Sequence, residues 1–122
     1  MPEVEKLELL SASELPSWFG YPRAFRRLVE SGITSFAPWW IFDRKYAQEK
    51  MAGLKSRYPT LDLVPFARNQ GNDDVACWER GDPSKVVIIH DYADPGWEQR
   101  ATFDSFWDWF RSAIGDFIEF EP

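Results

Sequence analysis

The chain has 122 residues and a mass of 14.3 kDa, enough for one domain and too little for two domains with cores of their own. Hydrophobic residues make up 44% and charged residues 28%, the balance of a folded protein, and a net charge of −6 disfavours nucleic-acid binding, which needs clustered positive charge. The outlying number is aromatic content, 17%, with 7 Trp, 10 Phe and 4 Tyr, and a use for those rings is the first thing to find.

Along the chain, residues 1–14 carry weak periodicity and read as a loose start or a short helix. The first clear helix begins at Pro22, a residue suited to the first helical position, and runs to about Ser31, with Gly32 as its stop. Tyr21, Phe25, Leu28 and Val29 form its apolar face, while Arg23, Arg26, Arg27 and Glu30 line a solvated one. Ile33 to Phe42 reads as extended. Asp43 can cap a second helix from Arg44 to about Arg57, closed by Pro59.

The patterning then turns extended. Leu61 to Phe66 predicts a strand, with Pro65 favouring an edge or an end. Asn69 to Asp73 is turn chemistry. Val75 to Glu79 predicts a second strand, and Lys85 to His90 a third, whose unbroken aliphatic run places it centrally. The short connections make the pairing antiparallel. Asp91 to Arg100 reads as a polar loop. A last helix is predicted from about Phe103 to Ile114, capped by Thr102 and stopped by Gly115, with a short strand at residues 117–121. The expected fold class is α+β: one domain over residues 1–122, an antiparallel sheet of three to five strands packed with about three helices.

One cysteine, Cys77, forms no internal disulfide, and the segment after Met1 lacks the apolar run of a signal peptide. No apolar stretch approaches the ~20 residues a membrane-spanning helix needs. The expectation is a cytoplasmic protein without membrane association. P-loop, dinucleotide-binding and zinc-protease motifs are absent from the sequence, and no cofactor or metal is expected. Charge is uneven: residues 1–61 carry a net of +2 and residues 62–122 a net of −8.

Leu63-Val64-Pro65-Phe66-Ala67, Gly71-Asn72-Asp73-Asp74, Val75-Ala76-Cys77-Trp78, Val86-Val87-Ile88-Ile89-His90-Asp91 and the aromatic helix of Phe103, Phe106, Trp107 and Phe110 follow one another in a set order. That ordered set resembles the SUKH superfamily, which includes bacterial immunity proteins and relatives of a fungal regulator of cell-wall synthesis. The best match spans residues 63–110. The resemblance implies a non-enzymatic binding protein that neutralises a cognate toxin, with a basic nuclease among the candidate targets. An acidic inhibitor suits such a target, because complementary potentials speed association and mask phosphate-binding residues.

Several residues are candidates for contact. Asp73 and Asp74, with Asn69 and Asn72 nearby, read first as turn residues and second as part of an acidic partner-binding edge; the spacing is not that of an EF-hand. Trp97 sits in a Pro-Gly loop flanked by Asp91, Asp94 and Glu98, which combines an anchor with negative charge. Trp109 falls off the apolar stripe predicted for the last helix, and Trp39 and Trp40 cannot both face inward on an extended segment, so Trp97, Trp109 and one of that pair are candidates for exposure. The contact set is Asp73, Asp74, Asp91, Asp94, Trp97, Glu98 and Trp109, with no catalytic or metal-binding residue. His90 reads as a hydrogen-bonded structural residue, and Cys77 as a small buried one. Two other functions stay open: a carbohydrate-binding or cell-wall-regulatory module using exposed Trp, and a small hydrolase using His90. Oligomeric state and the identity of the toxin are not legible in the sequence.

Overall fold

Unbroken aliphatic runs in neighbouring strands mean that both faces of a sheet must be covered. The computed structural model describes residues 7–120 and meets that demand with one sheet between two helical layers. In chain order the elements are α1 (Arg23–Glu30), β1 (Ser35–Phe36), β2 (Trp39–Ile41), α2 (Arg44–Arg57), β3 (Leu63–Asn69), β4 (Asp74–Glu79), β5 (Asp82–His90), β6 (Gln99–Phe103) and α3 (Phe106–Glu119). The six strands lie side by side in the order of the chain, each antiparallel to the next. The α+β class holds; the strand count is six rather than three to five.

The alternation of β4 and β5 assigns the two faces. Ala76, Trp78, Val86 and Ile88 pack with Phe25 and Leu28 of α1 and with Phe106, Trp109 and Ala113 of α3. Val75, Cys77, Val87 and Ile89 point the other way, into Ala47 and Leu54 of α2 and into Tyr58. β5 is flanked by β4 and β6, so its aliphatic run lies in an interior strand, one in from the β6 edge rather than at the centre of the sheet. Pro65 lies in a strand paired on both sides, but beyond the last β2 pair (Ile41 with Ala67) and beside a bulge between Pro65 and Ala67. That is where a residue with no N–H is tolerated. The bulge resets the alternation, and Val64, Phe66 and Ala67 all join the same cluster.

Aromatic rings fill the α1/α3 face. Trp78 is fully buried, stacks on Phe66 at 4.2 Å between ring centres and meets Phe25 edge-on at 5.2 Å. Phe66 meets Trp109 edge-on at 4.9 Å. Such pairs contribute about 0.5–1.5 kcal/mol each beyond area burial. The Trp78 and Trp109 indole N–H groups are buried with no acceptor among the described residues, a cost the packing must offset.

Capping explains the helix ends. Asp43 accepts a hydrogen bond from the Tyr46 N–H at 2.8 Å and starts α2 as the sequence predicts. α3 differs from expectation. Thr102 and Phe103 belong to β6, Ser105 is the cap, accepting from the Asp108 N–H at 3.1 Å, and the helix continues through Gly115 to Glu119. Residues 117–120 are thus helix and its C-cap rather than a strand; residue 121, like residues 1–6, lies outside the described part. The segment before α1 is fastened to α2 by Glu14. Its carboxylate accepts from Arg44 Nε at 2.9 Å, from the Ser11 N–H at 2.9 Å and from Gln48 Nε2. The Arg44 hydrogen bond, helped by Ser11, lowers the Glu14 carboxyl to about 2. No helix among the described residues is long and apolar enough to cross a membrane.

Candidate functional site

In a meander, alternate turns collect at one end of the sheet. The β3–β4 turn (residues 70–73) and the β5–β6 loop (residues 91–98) therefore lie together, joined by Asp91 N–H to Asp73 C=O at 3.3 Å. The turn is built from its own side chains. Asn69 Oδ1 accepts from the Gly71 N–H at 2.8 Å, Asn72 Oδ1 from the Asp74 N–H at 3.0 Å, and Asp73 takes a left-handed φ of 62°. The Asp73 carboxylate is exposed and meets Arg68 Nη2 at 3.1 Å. Asp74 begins β4 and is 9% exposed. One of its oxygens lies 3.0 Å from His90 Nδ1 and 3.2 Å from Arg100 Nε.

The loop holds a definite shape. The His90 N–H donates to Glu98 C=O at 2.6 Å, the Trp97 N–H to Asp94 C=O at 2.9 Å, and the Gly96 N–H to Glu98 Oε2 at 2.8 Å. Gly96 sits at φ 99°, a conformation that favours glycine. Tyr58 Oη fastens the loop from below by donating to Ala93 C=O at 2.8 Å. On this frame the Trp97 ring stands 82% exposed between Asp94, also exposed, and the half-buried Glu98.

Three residues of the expected contact set are buried: Asp74, held by His90 and Arg100, and two that lie in the core. Asp91 is 1% exposed and accepts from Lys50 Nζ at 2.8 Å, Arg57 Nε at 2.6 Å, Arg57 Nη2 at 2.7 Å and the Tyr92 N–H at 2.9 Å. Burial pushes its carboxyl up, but the Arg57 and Lys50 hydrogen bonds outweigh burial and hold it below the ordinary carboxylate value. Nothing of it remains to meet a partner. Trp109 is 1% exposed, because α3 turns Phe106, Trp109 and Ala113, at i, i+3 and i+7, inward together. Of the other Trp candidates, Trp39 is buried and donates its indole N–H to Asp116 Oδ2 at 2.9 Å, and Trp40 is half-buried against Phe42 and Tyr46.

Sequence reasoning missed Tyr92. It is 66% exposed with φ at 66°, a left-handed conformation that is costly for a bulky side chain. Asp91 gathers Lys50 and Arg57 beneath it, and the Arg57 guanidinium lies 4.4 Å from the centre of the Tyr92 ring. Gly53 leaves that guanidinium room: a Cβ there would stand 2.9 Å from Arg57 Nη2. Only the pairing of cations at 50 and 57 on α2 with an acid 34 residues later would have given a signal, and spacing alone does not reveal it.

Cys77 is fully buried, and burial pushes its thiol far up. Among the described residues, no group of three or more His, Cys, Asp or Glu side chains could hold a metal ion. The site thus combines exposed carboxylates, an exposed tryptophan and an exposed tyrosine on a hydrogen-bonded frame, an arrangement suited to binding. No family model, curated protein or solved structure matches this chain.

Proposed function

We propose that this is a non-enzymatic immunity protein of the SUKH kind, which neutralises a basic protein toxin by covering it with the acidic end of the sheet. The observation that carries the reading is Trp97, 82% exposed on a loop whose backbone is fixed by hydrogen bonds within the loop, to the neighbouring turn and from Tyr58. An exposed Trp adds nothing to the core, and a preordered ring loses little entropy on docking. Asp94 and Glu98 flank it in the loop and supply the charge that steers a basic target, with Asp73 on the adjoining turn. A nuclease, whose substrate groove is basic, fits that chemistry.

The test is co-expression of the tagged protein with the product of the adjacent upstream reading frame. The expected result is a complex that survives purification and relieves that product's toxicity, with Trp97→Ala weakening it by about ten- to a hundredfold. A neighbour that is harmless, and is not retained on the tagged protein, contradicts the reading.

A further inference from the structure

α3 carries two adjoining apolar stripes, and the sheet takes only one. Phe106, Trp109 and Ala113 are buried in the core. Beside them Trp107, Phe110, Ile114, Phe117 and Ile118 follow one another at helical spacing. The first three are half-buried against the core, with Phe110 meeting Phe36 edge-on at 5.4 Å. The stripe then runs out of cover: Phe117 is 50% exposed and Ile118 is 75% exposed. Neighbouring apolar side chains left in water on one helix face mark a contact surface.

Charge indicates what covers it. α1 lies beside α3 on the same face of the sheet, where Phe25 meets Phe106 edge-on at 5.7 Å. α1 holds Arg23, Arg26 and Arg27 against Glu30, a net of +2, and all four are exposed. α3 holds Asp108, Asp116 and Glu119 against Arg111, a net of −2. Among the described residues the three α1 arginines make no ion pair, so the two helices do not neutralise each other within the chain. One helical layer thus carries equal and opposite charge on neighbouring helices. An anionic lipid surface or a nucleic acid suits α1 and is repelled by α3, whereas a second copy suits both. Laid layer to layer, two copies have two symmetric arrangements. Setting α1 on α1 and α3 on α3 opposes like charges. A two-fold axis running between the helices and along them sets each α1 on the other copy's α3, pairs opposite charges twice and closes on itself. The aliphatic stems of the arginines then cover the exposed end of the α3 stripe.

We infer that the α1/α3 layer is the interface of a two-fold symmetric dimer of this chain, with α1 of each copy lying on α3 of the other. The inference is independent of toxin neutralisation, because its test uses the chain alone.

The experiment is sedimentation equilibrium of the full chain over rising concentration. The expected result is a mean mass that climbs from the chain mass of 14.3 kDa to twice that value. Ile118→Lys places a cation at a helix C-terminus, which favours it, and is expected to raise the dimer Kd at least about tenfold with the urea midpoint unchanged. Two charge variants complete the test and do not touch the core. One carries Arg23→Glu and Arg26→Glu, the other Asp108→Asn and Glu119→Lys. Each is expected to be monomeric alone, and an equal mixture to associate, because in the mixed pair both helix contacts again join opposite charges. A mass that stays at 14.3 kDa throughout, a dimer indifferent to Ile118→Lys, or a mixture no more associated than its parts each overturns the inference. Two further outcomes also overturn it and name another occupant. Dimerisation only after removal of residues 1–6 assigns the layer to the chain's own start. A monomer whose Ile118→Lys variant loses the product of the upstream reading frame assigns the layer to that protein.

Discussion

Asp91 illustrates how a residue's role depends on what the fold brings to it. Beside Tyr92 and near Trp97 it reads as surface charge, but Lys50 and Arg57 arrive from α2 and make it the anion of a buried ion cluster. Asp91→Asn keeps the shape and leaves two cations facing a neutral amide. The expected loss is about 2–4 kcal/mol in urea unfolding, since breaking a buried pair from one side strands its partners. The linkage has a definite sign. Asp91 and Glu14 are both lowered in the folded protein, Glu14 to about 2, so their stabilisation is complete above the unfolded carboxylate values near about 4. It is lost as pH falls through the folded values. The stability of the wild-type protein should therefore drop between about pH 4 and pH 2, and a carbon-detected titration should place the Glu14 midpoint near 2. A Glu14 midpoint at the ordinary value would contradict its contacts with Arg44 and Ser11.

At the scale of elements, legibility followed the strength of the local signal. α2 was readable at both ends, because Asp43 caps it and Pro59 prevents its continuation. β5 was readable as an interior strand from Val86 to Ile89, though it lies one in from the edge rather than at the centre. β6 was not, because Gln99 to Thr102 are exposed and the strand has no apolar alternation. Its hydrogen bonds to β5 make it a strand, and only the fold supplies those. Counting Phe103 of β6 into the stripe of α3 weighted the expected apolar face toward Trp107 and Phe110, and so placed Trp109 off it. The contrast between two tryptophans measures the correction. Trp109→Ala should cost about 3–5 kcal/mol by urea unfolding, and Trp97→Ala less than about 0.5 kcal/mol. Equal losses would contradict the burial described for either residue.

At the scale of the whole molecule, the excess of aromatic rings divides into two unequal parts. Phe25, Phe66, Trp78, Phe106 and Trp109 build the core between the sheet and two helices, and the sequence allowed most of that to be foreseen. Trp97 and Tyr92 stand outside it, on the loop that carries Asp94 and Glu98 beside the turn of Asp73. Of the expected contact residues, Asp73, Asp94, Trp97 and Glu98 keep exposed or half-exposed surface at that end, Asp74 is buried there against His90 and Arg100, and Asp91 and Trp109 belong to the interior. The two losses were illegible because each depends on a partner remote in the chain: α2 for Asp91, the β2–β3 floor for Trp109. The measurement that bears most directly on the proposed role is the affinity of the purified protein for the product of the adjacent upstream reading frame, compared with Trp97→Ala at matched stability. The account predicts a tight complex weakened about ten- to a hundredfold by the substitution, and weakened in both proteins by added salt. An unchanged affinity in Trp97→Ala, with a complex indifferent to salt, would contradict it.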